Sequence, residues 1–161
     1  MKKAFSALVF LFCALLLASC SSVEEPAISN QAPLTFGFEK MNEEDAELIV
    51  RLCYNEMKGE PLLAKTAFCA MVLNRLENES FPDTVDGVVF ETNAFHSTEK
   101  KAFYEDMNPT DARRDRLALY YALEKEYDPT GGALFCRKTS DPECYEIVPS
   151  FSVSDLVFGN P

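Results

Sequence analysis

The chain has 161 residues and a formal net charge of −11 at pH 7. Its length suits one domain behind a short leader. Its acidity argues against nucleic-acid binding, which demands a basic face, and is read as a device for solubility.

The first element is a short basic region, Met1-Lys2-Lys3, followed by the apolar run Ala4–Ala18. That run is too short for a membrane span and reads as a signal peptide. It ends in Leu17-Ala18-Ser19-Cys20, which resembles a bacterial lipobox. Residues 1–19 are then removed and Cys20 becomes the lipid-modified first residue, outside the cytoplasm. Attachment would run through the lipid, because no polybasic patch exists to bind a membrane surface. Residues 20–40 read as a tether and lead-in, with Phe36 and Phe38 set to pack on the edge of a domain spanning 41–161.

The domain is predicted to open on a helical hairpin. Over residues 45–57 the spacing puts Ala46, Ile49, Val50, Cys53 and Met57 on one helical face. Asn42 can cap this helix, with Asp45 as its capping-box partner. Gly59 can take the left-handed conformation that ends it. Pro61 suits the first position of a second helix reaching about Arg75, with Leu63, Ala67, Ala70, Met71 and Asn74 on one side. Glu56 falls in the last turn of the first arm, where the helix dipole disfavours a negative charge. A carboxyl held protonated is what an acid catalyst needs.

Beyond a polar turn at residues 77–80, Phe81-Pro82-Asp83-Thr84-Val85 begins a short element ending near Phe90, with Thr84 as its cap. Residues 91–101 are polar. A helix is predicted from about Thr110 to Tyr127, stopped by Asp128-Pro129-Thr130-Gly131-Gly132. The period then changes. Residues 133–136, 144–148 and 151–158 are rich in aromatic and β-branched residues and read as short strands. The expected class is α+β, a mainly helical body with a small antiparallel sheet near the C-terminus.

Of the six cysteines, Cys13 leaves with the leader and Cys20 carries lipid. Cys53, Cys69, Cys136 and Cys144 remain in an oxidising compartment. Cys136 and Cys144 flank the loop 137–143 and are expected to form a disulfide between two strands. Cys53 and Cys69 either pair across the hairpin or fill the core as thiols. With no Cys-x-x-Cys pair and His96 as the sole histidine, no metal site is expected.

Four stretches in order resemble the SleB-type cell-wall hydrolase family, which includes spore-cortex-lytic enzymes. They are Tyr54-Asn55-Glu56-Met57-Lys58-Gly59-Glu60-Pro61, Val72-Leu73-Asn74-Arg75, Phe81-Pro82-Asp83-Thr84-Val85 and Gly131-Gly132-Ala133-Leu134-Phe135. The resemblance implies a lysozyme-like fold and cleavage of peptidoglycan glycan strands between N-acetylmuramic acid and N-acetylglucosamine, without metal or organic cofactor. It implies Glu56 as the catalytic acid. Several members are lytic transglycosylases, in which a single Glu protonates the glycosidic oxygen and then takes the proton of the muramyl C6 hydroxyl as the anhydro ring closes. One carboxylate then suffices where most glycosidases use two. The family's Gly-Gln-Phe is Asn93-Ala94-Phe95 here, its Ile-Gly-Asn-His-Val-Phe is Val153-Ser154-Asp155-Leu156-Val157-Phe158, and its motif Arg is Lys58. The alternative these departures raise is a lipoprotein that binds peptidoglycan without cutting it.

Around Glu56, the candidate substrate-binding residues are Tyr54, Glu60, Phe95 and His96. Each has a plainer alternative. Tyr54 can pack, Glu60 can orient the turn before Pro61, Phe95 can belong to the core, and a loop histidine is commonly solvated. The expected partners are glycan strands and, through the lipid, a membrane, with the protein itself a monomer.

Overall fold

Asn42 starts the first helix as its sequence requires. Its side chain accepts from the Asp45 N–H at 2.9 Å and donates to the Asp45 carboxylate at 2.7 Å. The structure, a computed structural model, describes residues 37–161. The leader, Cys20, Phe36 and the tether as far as residue 36 lie outside the described residues. From Asn42, α1 runs Glu43–Glu56. All five residues of its predicted apolar face, Ala46, Ile49, Val50, Cys53 and Met57, are buried. Gly59 turns the chain at φ 84°, a conformation that costs glycine nothing. Pro61 stands just outside the next helix as its N-cap.

That helix, α2 (Leu62–Leu76), departs from expectation. A one-sided pattern was predicted, yet Ala64 through Val72 are all buried. The reason is position: α2 touches α1, the short α3 (Val85–Val89), the long α4 (Pro109–Leu123), and two strands of the sheet. A helix surrounded on all sides needs apolar residues all round. Thr84 caps α3 through its hydroxyl, as predicted. The α4 helix stops short of Tyr127. Glu126 takes φ 52°, a left-handed residue that turns the chain away from the helix, and the Tyr127 N–H reaches back to the Tyr121 carbonyl.

The sheet has three antiparallel strands in the order β1 (Phe135–Lys138), β3 (Leu156–Asn160), β2 (Val148–Val153). Residues 151–158, read as one strand, are two strands of a hairpin turning at Ser154-Asp155, with Ser154 at φ 55°. Residues 142–146, read in part as a strand, form a one-turn 3-10 helix. Pro142 suits the first turn of a helix, and Asp141 caps it by accepting from the Glu143 N–H. The α+β class therefore stands. The helical core extends through Phe103 of a second short 3-10 segment and reaches Leu156 and Phe158 of the sheet. Phe38 packs against this core, under the Arg116 guanidinium.

Two distant motifs turn out to be one clasp. Asn74, near the end of α2, donates to the Asp128 carboxylate and to the Ala133 carbonyl, each at 3.1 Å. Arg75 donates through Nε to the Leu134 carbonyl at 2.8 Å. Asp128 in turn holds the Thr130 and Gly132 N–H groups. The clasp fixes β1, and with it one wall of the cleft, against the end of α2.

Candidate active site

Glu56 is the last residue of α1. Its side chain enters a cleft of about 720 Å³ between the helical body and the sheet. Met57, Phe68, Met71 and Arg75 come from the helical side, residues 93–96 from the loop after α3, and Cys136, Arg137, Lys138, Asp141, Glu143 and Leu156 from the sheet side. The Ser97 N–H donates to Glu56 Oε1 at 2.7 Å. One carboxyl oxygen is thereby fixed by the loop, and the group is oriented before any ligand arrives. Glu56 is only half-buried, so its second oxygen can meet a ligand in the cleft.

Of the candidates around Glu56, the structure brings His96 and Phe95 into this cleft. His96 is exposed; Phe95 is buried, packed edge-on against Phe68 at 5.8 Å between ring centroids. It shapes the floor and presents little surface to stack on. Tyr54 and Glu60 line a separate cavity of about 60 Å³ with Lys65 and Asp115. Side chains two apart on a helix point to opposite sides, so Tyr54 cannot share the face of Glu56. Its hydroxyl accepts from the Asn108 N–H at 3.1 Å, at the start of α4. Ala94 and Leu156, two departures from the family pattern, both line the cleft.

Arg75 is the residue that periodicity undervalues, since spacing alone makes it only the end of a helix. It is 4% exposed. Its guanidinium lies 4.8, 5.1 and 5.5 Å from the ring centroids of Phe81, Phe95 and Phe135. Burial holds it below its ordinary pKa, Glu91 opposes that shift, and the nearby Arg137 adds to it. The signal available in sequence was an arginine closing a mostly apolar helix, with aromatic residues on both sides of it along the chain.

Cys136 and Cys144, expected as a disulfide, are free thiols here. The strand beside β1 is β3, which sets Phe158 opposite Cys136, while Cys144 sits on the 3-10 helix. Burial pushes the Cys136 thiol up to about 12, so it is protonated at neutral pH and inert as a nucleophile. Cys53 and Cys69 are also free and buried. Among the described residues no group of His, Cys, Asp and Glu side chains is arranged to hold a metal ion.

A family model described as Cell Wall Hydrolase matches residues 59–152. The match begins just past Glu56. The spore cortex-lytic enzyme of Bacillus cereus is 37% identical over 94 residues, 58% of this chain and 34% of that protein. That of Bacillus subtilis is 32% identical over 117 residues, 73% of this chain and 33% of that one. The chain thus spans about a third of the length of these curated relatives. The crystal structure of the catalytic domain of the Bacillus cereus SleB protein superposes with a TM-score of 0.66 at 27% identity, covering 81% of this chain and 100% of that one. The catalytic domain of the germination-specific lytic transglycosylase SleB from Bacillus anthracis gives 0.67 at 27% identity, over 77% and 100%. The α+β arrangement described above is that of these catalytic domains.

Proposed function

The chain belongs to the cell wall hydrolase family, and on that premise we propose that it cleaves the glycan strands of peptidoglycan as a lytic transglycosylase, with Glu56 as the single acid and base. The observation that carries this reading is Glu56 itself: a carboxyl at the end of α1, inside the large cleft, with one oxygen fixed by the Ser97 N–H. Protonated, it donates to the glycosidic oxygen as the bond to the muramyl anomeric carbon breaks. Ionised, it removes the proton of the muramyl C6 hydroxyl while that oxygen closes on the anomeric carbon. The proton is returned to the group that lost it, and no water enters the product.

A second reading has its own observation. Asp141 and Glu143 line the same cleft, and a second carboxylate that activates water would give hydrolysis instead. Mass spectrometry of sacculi digested by the protein separates the two. Anhydro-muramyl ends, one water lighter than reducing ends, are the expected product; reducing ends alone would overturn the transglycosylase assignment.

The activity is proposed to be exercised outside the cytoplasm, by a chain tethered through lipid on Cys20. The support is the Leu17-Ala18-Ser19-Cys20 sequence behind a short basic start and an apolar run. Replacing Cys20→Ala is expected to abolish lipidation and release the protein from the membrane fraction. Recovery of the unaltered protein wholly in the soluble fraction, with no lipid mass on its N-terminal peptide, would contradict the tether.

A further inference from the structure

Beside the cleft lies a second cavity of about 560 Å³, and Arg75, Asn93, Ala94 and Arg137 line both. We propose that this junction is a carboxylate subsite, in which Arg137, backed by Arg75, takes the acidic side arm of the muramyl residue. The proposal rests on the glycan-cleaving reading of the cleft and names the substrate feature the cleft selects.

Two guanidinium groups are gathered here in an acidic chain, close enough that Arg137 lowers the pKa of Arg75. Like charges brought together without a ligand are unfavourable unless carboxylates answer them. The answering carboxylates stand off. Glu91 Oε2 is 3.8 Å from Arg75 Nη1, and Glu143 Oε2 is 3.5 Å from Arg137 Nη2. Both exceed the 2.7–2.9 Å of a charge-assisted hydrogen bond. Arg75 Nη1 is moreover buried without a hydrogen-bond acceptor among the described residues, a deficiency that native structures seldom leave uncompensated.

The two arginines divide the work. Arg75 is enclosed: its side chain is 5% exposed, ringed by three phenyl groups and hydrogen-bonded to the Leu134 carbonyl. It supplies field. Arg137 has a side chain 32% exposed and donates, among the described residues, across 3.3 Å to the neighbouring Cys136 carbonyl. It can turn from Glu143 to a ligand. Ala94, at the same junction, offers no side-chain hydrogen bond and Asn93 offers only a neutral amide, so the cationic grip on an anion there falls to the guanidinium fork, which matches a carboxylate bidentately. Muramic acid differs from N-acetylglucosamine by its lactyl arm. The arm ends in a carboxylate when bare, and in a stem peptide with its own carboxylates when substituted.

The test reads binding without turnover, in the full chain carrying Glu56→Gln. Calorimetric titrations use peptide-free glycan strands with free lactyl acids, the same strands with those acids converted to amides, peptide-bearing strands, and chitin oligosaccharides of equal length. Carboxylate-bearing strands are expected to bind about tenfold more tightly than amidated strands or chitin, the factor of one charge-assisted bond. That advantage should shrink as salt is raised, vanish in Arg137→Gln, and return in part in Arg137→Lys. A preference for peptide-free strands places the lactyl acid in the subsite, and a preference confined to peptide-bearing strands places the peptide's acid there. Equal affinity for charged and neutral strands, discrimination that survives Arg137→Gln in a chain that still melts cooperatively, or no binding to any strand overturns the proposal. Cleavage is scored separately in the Glu56 chain. Failure to cut alongside retained discrimination sinks the enzyme reading alone; cutting without discrimination sinks the subsite alone.

Discussion

Asp128 accepts four hydrogen bonds: from the Thr130 N–H and hydroxyl at 2.7 and 2.6 Å, from the Gly132 N–H at 2.8 Å, and from Asn74 at 3.1 Å. Partial burial alone would raise its pKa; the hydrogen bonds together outweigh it and hold the carboxyl below its ordinary value. The unfolded chain titrates this group near 3.9. Its stabilisation is therefore complete above that pH and is lost as pH falls through the lower folded value. Asp128→Ala is expected to cost about 1–2 kcal/mol at pH 7, at the low end for so many bonds because water screens the group. Urea melts at a series of pH values should show that difference from the unaltered protein shrinking below about pH 4. Lys65 and Asp115 form the contrasting case, a buried ion pair with side chains 5% and 0% exposed. Asp115→Ala leaves a buried ammonium uncompensated and is expected to cost about 3–5 kcal/mol. Lys65→Met combined with Asp115→Leu should recover most of that loss in the same urea melts. At this scale the sequence was readable where a side chain acts on its own neighbours, as with Asn42, Gly59 and Thr84. It was not readable where partners lie far along the chain. Arg75 meets Leu134 and Phe135 only after folding, and Tyr54 turned out to face α4.

At the scale of elements, the helices were legible because their apolar spacing is local, and the sheet was less so. A six-residue aromatic and β-branched strand and its hairpin partner read as one run when the turn between them contains no glycine, and Ser154 at φ 55° hides the reversal. The strand order β1-β3-β2 also depends on non-local pairing, which no periodicity encodes. Gly159, in β3, sits where the neighbouring strand leaves no room for a side chain. A Cβ there would collide with the Val148 backbone oxygen and the Ile147 side chain, beside the register irregularity between Pro149 and Phe151. Gly159→Ala is expected to force β2 away from β3 and lower stability by about 1–3 kcal/mol, visible as a drop in Tm. A Tm equal to that of the parent would mean the strands adjust freely.

For the whole molecule, the clasp from Asn74 and Arg75 to the 128–134 turn explains why motifs so far apart in the chain occur together: they set the sheet wall of the cleft against the helical wall that carries Glu56. The family and the α+β class were legible from those motifs. The cleft's composition was legible only in part, because Arg137 comes from β1 and Asp141 and Glu143 from the cap and first turn of a 3-10 helix, none of them within a motif. The claim that unites these levels is that Glu56 carries the chemistry. Glu56→Gln nearly keeps the side-chain shape and removes the exchangeable proton. The most direct measurement is the rate of soluble fragment release from purified sacculi by the parent chain and by Glu56→Gln, with thermal melts of both. Closely matched melts and a rate lower by about 10²-fold or more in the variant are expected; release at the parental rate by a folded Glu56→Gln chain would contradict the role of Glu56.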